Sequence, residues 1–189
     1  MLTAAVYQLT KDKNLTADPN NASFSIQTGE IRSRGIELEA KAAVNANVNV
    51  TASYTYTDAQ YQHDTTFNGK RPAEVPRNMA SLWADYTFHE TALSGLTVGA
   101  GARYVGSTVS YYKNDTSTGK KDDVFNVAGY ALMDATVKYD LARFGLPGSS
   151  IGVNVNNLFD REYVSSCYSE YACYWGAERQ VVATATFRF

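Results

Sequence analysis

The chain has 189 residues, enough for one ordinary domain, and its 17 Lys and Arg residues nearly balance its 19 Asp and Glu residues. A formal net charge of -2 excludes the basic surface expected of a nucleic-acid-binding protein. No run approaches the roughly eighteen consecutive apolar residues that a transmembrane helix requires. The mean hydropathy of -0.32 is that of a soluble protein. A membrane β-barrel gives a similar average, however, because its strands alternate lipid-facing and lumen-facing residues.

Apolar and polar residues alternate with a period of two along much of the chain, which predicts β-strands. The strand at 48–57, for example, places Val50 and Ala52 on one face and Thr51 and Ser53 on the other. Eight antiparallel strands are predicted in this way, at 2–12, 23–44, 48–57, 80–88, 96–105, 131–140, 151–156 and 181–189. In the second strand the alternation changes phase near Gly29 and again near Gly35, which predicts a β-bulge at each glycine.

The connections between the predicted strands alternate between long and short. The short turns lie near 43–47, 89–95 and 141–149, and the long connections lie near 13–22, 59–77, 110–126 and 159–175. The long connections hold charged runs such as Lys11-Asp12-Lys13 and Lys120-Lys121-Asp122-Asp123, which are interpreted as solvated loops. Short turns at one end and long loops at the other are typical of an outer-membrane β-barrel.

Aromatic residues separate a membrane barrel from a soluble β-sandwich, in which strands also alternate apolar and polar residues. On the apolar faces, aromatic residues cluster near both strand ends, with aliphatic residues between them. Two such belts are expected at the two membrane–water interfaces. The long-loop end holds Tyr54, Tyr56 and Tyr104, and the short-turn end holds Tyr86, Phe88, Tyr139, Phe187 and Phe189.

Two cysteines, Cys167 and Cys173, are separated by five residues, which is not the CxxC spacing of metal or redox sites. The spacing leaves open two free thiols in a cytosolic protein or a disulfide in an oxidising compartment. Neither His63 nor His89 has a Cys or a second His nearby in sequence. Since no nucleophile–base pattern is found either, we predict no catalytic residue, no metal site and no cofactor.

Four stretches resemble the TonB-dependent outer-membrane receptors, in particular the ferric hydroxamate type that takes up ferrichrome or ferrioxamine. Residues 153–163, VNVNNLFDREY, resemble the penultimate-strand motif of that family. Residues 175–180, WGAERQ, lead to the terminal Phe189 as in the family's last strand. Residues 29–37 and 80–86 fit the same family.

The resemblance implies an all-β fold, a transmembrane antiparallel barrel of twenty-two strands that encloses an N-terminal plug. Residues 1–189 would be the C-terminal part of the barrel domain, about eight strands, without the plug and the TonB box. The implied protein is a receptor and transporter in the outer membrane of a Gram-negative bacterium, not an enzyme. Its implied partners are a ferric hydroxamate siderophore, outer-membrane lipid, the TonB–ExbB–ExbD complex acting through the missing N-terminal region, and phage or colicin.

The resemblance also assigns candidate site residues to the last long connection. A hydroxamate siderophore wraps Fe(III) completely, so its receptor needs aromatic side chains and hydrogen-bond donors rather than metal ligands. Tyr168 is the first candidate, because the family places an aromatic ligand contact there. Cys167 and Cys173 would form a disulfide that holds Tyr168 in place. Loop packing is an equal alternative for Tyr168 and the plainer interpretation of the remaining candidates, which are Tyr163, Tyr171, Tyr174 and Trp175.

Two other classes of protein remain as alternatives. A soluble β-sandwich that binds a ligand, such as a carbohydrate-binding domain, would dissolve in aqueous buffer without detergent. A passive outer-membrane porin, or an outer-membrane enzyme, would lack a plug domain. A signal peptide, a TonB box and a plug encoded upstream of Met1 would decide for the receptor.

Overall fold

The computed structural model describes residues 1–18, 20–65, 67–90, 92–111 and 124–188, apart from the side chain of Ala22. Eight long strands form one antiparallel sheet in which neighbours in sequence order lie side by side. This sheet confirms the predicted all-β fold and the eight predicted strands. They are β1 (Leu2–Asp18), β2 (Asn21–Ala43), β3 (Val48–His63), β4 (Asn78–Thr87), β5 (Leu96–Val105), β8 (Tyr130–Asp140), β9 (Ser150–Asn156) and β12 (Gln180–Thr186).

A second sheet of four short strands lies within the connections at the long-loop end. It consists of β6 (Thr108–Tyr111), β7 (Val124–Val127), β10 (Val164–Ser169) and β11 (Ala172–Trp175), in the order β11-β10-β6-β7. The interpretation of 110–126 and 159–175 as plain loops was therefore wrong for these segments. The four strands are short and do not alternate clearly. β6 pairs with β7 and β10 pairs with β11, and one parallel pair, Ser169–Tyr111, joins the two hairpins. The run Lys120-Lys121-Asp122-Asp123 lies outside the described residues.

The first hairpin is longer than predicted. Residues 13–18 extend β1 and residues 21–22 begin β2, so most of the predicted loop at 13–22 is paired strand. β3 likewise continues to His63. Both extensions do alternate, through Leu15 and Ala17 in β1 and through Ala59 and Tyr61 in β3. The polar and charged residues between and after them favoured the interpretation as loops. Among the short turns, 141–149 contains a single 3-10 turn at Ala142–Phe144, which Gly145 ends with a φ of 79°.

The register places the alternating residues in rows across the sheet. One apolar row runs through Ala40, Ala52, Leu82, Ala102 and Met133. This face is open in the structure: Leu82 is 54% exposed, and no second layer covers the face within the described residues. A soluble sandwich would bury these side chains between two sheets. The single layer with its exposed apolar face argues against that alternative.

The aromatic residues occupy the predicted rows at both ends of the apolar face. Tyr54 and Tyr104 flank Ala80 in one row near the long-loop end. At the opposite end Tyr86 lies between Val48 and Val98, and its ring is 4.7 Å from that of Phe88. Phe189, which was predicted to complete this belt, lies outside the described residues. Within the described part of the chain, no helix has the length and apolar character to cross a membrane.

Of the two predicted bulges, only one is present. The register of β1 and β2 shifts on both sides of the pair Asn14–Gly29, which confirms a bulge there. At Gly35 the prediction was wrong, because the pairing runs uninterrupted from Tyr7 through Gly35 to Thr57. A side chain at Gly35 would collide with the Tyr7 ring. The Tyr7 hydroxyl reaches across the glycine to Thr57 Oγ1 at 3.0 Å, so this glycine makes room for an aromatic ring.

Candidate ligand site at the long loops

A disulfide closes the hairpin of β10 and β11. Cys167 pairs directly with Cys173, their Cα atoms are 4.0 Å apart, and the Cys167 side chain is buried. β10 also pairs in parallel with β6 through Ser169 and Tyr111. The hairpin is therefore closed at its centre and attached to the rest of the chain at one edge.

The structure divides the predicted ligand residues into two groups. Four of them project from the disulfide hairpin, with side chains between 61% and 80% exposed. Tyr163 instead is half-buried, packs against Tyr130 at a ring separation of 4.2 Å and covers Gly176. It supports the base of the hairpin rather than presenting a free ring. The exposed group consists of Tyr168, Tyr171, Tyr174 and Trp175.

Tyr168 has a distinctive backbone position. Cys167 pairs with Cys173 and Ser169 pairs with Ala172, so Tyr168 is the extra residue between two pairs. An extra residue in one strand of a pair is a β-bulge, a feature that redirects a side chain and is common at sites. The disulfide lies immediately before the bulge and fixes the pairing there.

Three further aromatic residues lie beside the hairpin and were missed by the sequence analysis. The rings of Tyr61 and Phe67 are 5.8 Å apart, and those of Phe67 and Tyr111 are 4.5 Å apart. We call Tyr61, Phe67 and Tyr111 the aromatic cluster. They lie in stretches read as plain long loops, 59–77 and 110–126. The signal that could have identified them was large aromatic residues in segments otherwise rich in polar residues.

Two basic residues adjoin the aromatic cluster. The Lys70 ammonium lies 5.7 Å from the Phe67 ring centroid and 5.8 Å from that of Tyr111, which is cation–π distance. The Tyr111 hydroxyl donates a short hydrogen bond to the Arg71 carbonyl oxygen. Burial is the main cause that raises the pKa of Tyr111 to about 12, with the Tyr61 phenol adding to it. The phenol of Tyr111 is therefore neutral at neutral pH and keeps the proton that it donates to Arg71.

A second part of the site lies below the hairpin, on the polar face of the main sheet. A cleft of about 310 Å³ is lined there chiefly by apolar and aromatic side chains. It extends beneath the disulfide, since Cys167 forms part of its wall. The other apolar and aromatic residues of its lining include Phe125, Val127, Tyr130, Tyr163 and Val164.

The family-like motif at 153–163 holds this lower wall together. Asn157 is buried at 2% exposure with a φ of 52°. Its side-chain amide donates to the Arg161 and Ala177 carbonyl oxygens at 2.9 Å and 3.2 Å, and its Oδ1 accepts from the Arg161 N–H at 2.9 Å. Its own N–H donates to Asp134, which also accepts two hydrogen bonds from Arg103, at 2.9 Å and 3.2 Å. The motif thus connects β8, β9 and the segment before β12.

The chemistry of this site is that of recognition by contact. Within the described residues, no group of three or more His, Cys, Asp and Glu side chains could hold a metal ion. His63 has Glu30 as a partner at 3.1 Å, but that pair is exposed and isolated. The exposed aromatic faces and phenol hydroxyls of the hairpin can bind a preformed complex whose metal is already coordinated.

Comparison with known proteins identifies the family. Residues 1–158 match the family model described as TonB dependent receptor-like, beta-barrel. The chain belongs to that family. The ferrichrome outer membrane transporter/phage receptor of Escherichia coli K12 is 59% identical over all 189 residues of this chain. The ferrioxamine B receptor of Salmonella typhimurium is 40% identical over 98% of it.

The chain spans about a quarter of the length of these relatives, 24% and 25% respectively. Solved structures agree with the fold. The ferric-catecholate import receptor Fiu of E. coli K12 matches the whole chain with 26% identity and a TM-score of 0.73, covering 25% of that receptor. The pyoverdine receptor FpvA of Pseudomonas aeruginosa matches with 24% identity and a TM-score of 0.77, covering 27% of its own length.

Family membership places the chain in the outer membrane of a Gram-negative bacterium. The exposed apolar face of the main sheet fits that location, since lipid would cover it. The matching proteins are transporters and receptors, which supports the prediction that this chain is not an enzyme.

Proposed function

We propose that residues 1–189 are the C-terminal part of the barrel domain of a receptor that takes up ferric hydroxamate siderophores with energy from TonB. The proposal depends mainly on the 59% identity to a ferrichrome transporter across the whole chain, including the disulfide hairpin. The ligand is a substrate that arrives with its iron already coordinated. No resident cofactor is proposed.

Tyr168 is the proposed principal ligand contact. A phenol provides an aromatic face for the aliphatic parts of a siderophore and a hydroxyl that donates to a hydroxamate oxygen. Tyr171, Tyr174 and Trp175 form a more exposed rim around it, with exposures of 80%, 61% and 73%. Tyr163 contributes by supporting the hairpin from below, through its contact with Tyr130.

The proposed partners follow from the same assignment. The apolar face of β1–β5, β8, β9 and β12 contacts outer-membrane lipid. The TonB–ExbB–ExbD complex acts through the plug domain of the whole receptor. Phage or colicin would use the exposed long-loop end, and the E. coli relative is itself described as a phage receptor.

Uptake of iron-labelled siderophores tests this function. The whole receptor is expressed in E. coli cells that lack their own hydroxamate receptors, and uptake of ferric ferrichrome and ferric ferrioxamine B is measured with and without TonB. We expect TonB-dependent uptake of at least one of the two complexes. Indifference to both would reject the hydroxamate assignment, and uptake that persists without TonB would favour a passive porin.

The role of Tyr168 is tested in the same assay by Tyr168→Ala. Loss of a well-placed aromatic contact with its hydrogen bond is expected to weaken siderophore affinity by about tenfold. Tyr104→Ala, on the lipid face of β5, is the matched control that removes a tyrosine without touching the loops. Equal affinity of the Tyr168 variant and the control would exclude Tyr168 as a ligand contact.

A further inference from the structure

The aromatic cluster joins two connections that are far apart in sequence. Tyr61 and Phe67 come from the end of β3 and the loop after it, whereas Tyr111 ends β6. The Phe67 ring lies between the other two, at 5.8 Å from Tyr61 and 4.5 Å from Tyr111. All three side chains are half-buried. The cluster is therefore a packed contact between connections, not a set of freely exposed rings.

Hydrogen bonds fix the loop that carries Phe67 on both sides. On the β3 side, the Gly69 N–H donates to the Tyr61 carbonyl oxygen at 2.7 Å, and the Tyr61 N–H donates to that of Lys70 at 3.0 Å. On the β6 side, the Glu74 N–H donates to the Val109 carbonyl oxygen at 3.0 Å. The loop is thus rigidly attached to the main sheet and presents Phe67 to β6.

The cluster also reaches the disulfide hairpin. Tyr111 pairs with Ser169, the residue directly after Tyr168. The pKa of Tyr61 is raised mainly by burial, and also by the Asp64 carboxylate and the Tyr168 phenol. A contribution from Tyr168 is expected when the two phenols lie close together.

The hairpin itself is too small to hold its own orientation. β10 has six residues and β11 has four, and isolated two-stranded hairpins are marginally stable at best. The disulfide closes the hairpin internally but does not connect it to any other segment. Its orientation on the protein therefore depends on the contacts outside the hairpin, which are the Tyr163–Tyr130 contact at its base and the docking on β6.

We propose that the aromatic cluster is the positioning element for Tyr168, so that Phe67, through Tyr111 and β6, fixes the angle at which the disulfide hairpin presents Tyr168 to the ligand. The proposal rests on the function proposed above. Phe67 does not contact the siderophore; it acts through the hairpin. The geometry of a siderophore contact is then determined in part by a loop more than ninety residues earlier in the chain.

This arrangement bears on specificity. Two hydroxamate complexes of different shape require the Tyr168 phenol at different positions, and a fixed hairpin favours one of them. A hairpin released from the cluster samples several orientations, so it binds the favoured complex less tightly and discriminates less between the two.

Phe67→Leu in the whole receptor tests the proposal, with two measurements. Hydrogen exchange of the amides in 164–175, without ligand, reports on the hairpin itself. Affinities for ferric ferrichrome and ferric ferrioxamine B report on presentation of Tyr168. Phe88→Leu is the matched control, since it removes a comparable ring pair, with Tyr86 at 4.7 Å, at the opposite end of the sheet. Phe67→Tyr retains the ring and should restore wild-type behaviour.

We expect Phe67→Leu to speed exchange in 164–175 and to weaken the tighter siderophore roughly three- to tenfold, the value of one lost aromatic pair. The ratio of the two affinities should move toward one. Phe88→Leu should change neither measurement. Should Phe67→Leu fail to assemble, Tyr111→Phe, which removes only the hydroxyl that bonds to Arg71, is expected to change both measurements in the same direction.

Unchanged exchange in 164–175 would overturn the proposal whether or not a siderophore binds. Faster exchange with unchanged affinities would also overturn it, because the hairpin would then move without consequence for the ligand. A wild-type receptor that binds neither complex would reject the proposed function. That result would also reject the positioning of Tyr168 for a hydroxamate. The exchange measurement alone would still decide whether the aromatic cluster fixes the hairpin.

Discussion

At the scale of single residues, the polar face of the main sheet is organised around Asp134. Its carboxylate accepts two hydrogen bonds from Arg103 on the neighbouring strand and one from the Asn157 N–H. The sequence predicts that Arg103 and Asp134 both point into the lumen, because they alternate with apolar neighbours. It does not predict the Asn157 contact, since that requires the chain to return from the end of β9 to β8.

Asp134→Ala should destabilise the receptor, because it leaves the Arg103 guanidinium and the Asn157 N–H without their acceptor. Loss of charged hydrogen bonds at a largely covered position is worth about 2 kcal/mol in the free energy of unfolding. Equilibrium denaturation in detergent measures this change. Glu39→Ala, which breaks an exposed ion pair with Lys41, is the control and should cost less than about 0.5 kcal/mol. Equal effects of the two substitutions would contradict this account of Asp134.

At the scale of elements, the connection from β9 to β10 depends on one asparagine. Asn157 combines a left-handed backbone, with a φ of 52°, with a buried side chain that makes three hydrogen bonds. Asparagine tolerates this conformation better than most residues. The sequence motif containing Asn157 was recognised as family-like, but its structural role is visible only in the folded connection.

Substitutions at Asn157 should separate these two contributions. Asn157→Gly retains the backbone conformation and loses the hydrogen bonds, whereas Asn157→Ala loses both. We expect both variants to lower the free energy of unfolding, with alanine costing about 1 kcal/mol more than glycine. Denaturation midpoints of the two variants provide the comparison. An alanine variant as stable as the glycine variant would mean that the backbone conformation is not a constraint there.

The loop contacts around Tyr111 should fail at alkaline pH. The pKa of Tyr111 is raised from 10.0 to about 12, so the folded loops favour the neutral phenol. Its contribution to stability is complete below pH 10 and is lost as the pH rises toward 12. The difference in tyrosinate absorbance between the wild-type receptor and Tyr111→Phe during an alkaline titration measures the ionisation of this phenol, and the mobility of a spin label at Asn68→Cys measures loop opening. Tyr111→Phe should reduce the pH dependence between these limits, and the raised pKa of Tyr61 accounts for part of what remains. An unchanged dependence would assign it to another group.

The sequence predicted the part of each strand nearest the short turns well and the part nearest the long loops poorly. Within the membrane, each residue faces either lipid or lumen, so a row such as Ala40, Ala52 and Leu82 repeats at every second position. At the long-loop end, β6, β7, β10 and β11 have only four to six residues each, too few for a clear alternation. The pairing of β6 with β10 joins distant segments, which no local pattern records. The same limit hid Phe67 and Tyr111, whereas Tyr168 was found through the family resemblance.

At the scale of the whole molecule, the eight long strands form one sheet with two unlike faces. One face is a continuous apolar surface between two sets of aromatic residues, and the other holds polar and charged side chains such as Ser81, Arg103 and Asp134. The edges of the sheet are β1 and β12. These features define part of a barrel wall whose outer face contacts lipid and whose long loops bear the candidate site.

The central claim, that the apolar face contacts lipid, is tested by the accessibility of spin labels in bilayers. Labels are attached in the whole receptor at Leu82→Cys and Ser81→Cys, two adjacent residues of β4 that point to opposite faces. The label at Leu82 should collide frequently with oxygen, which concentrates in the hydrocarbon, and rarely with a water-soluble nickel chelate. The label at Ser81 should show the reverse preference. A label at Leu82 that meets the nickel chelate as often as the label at Ser81 would contradict a lipid-facing wall.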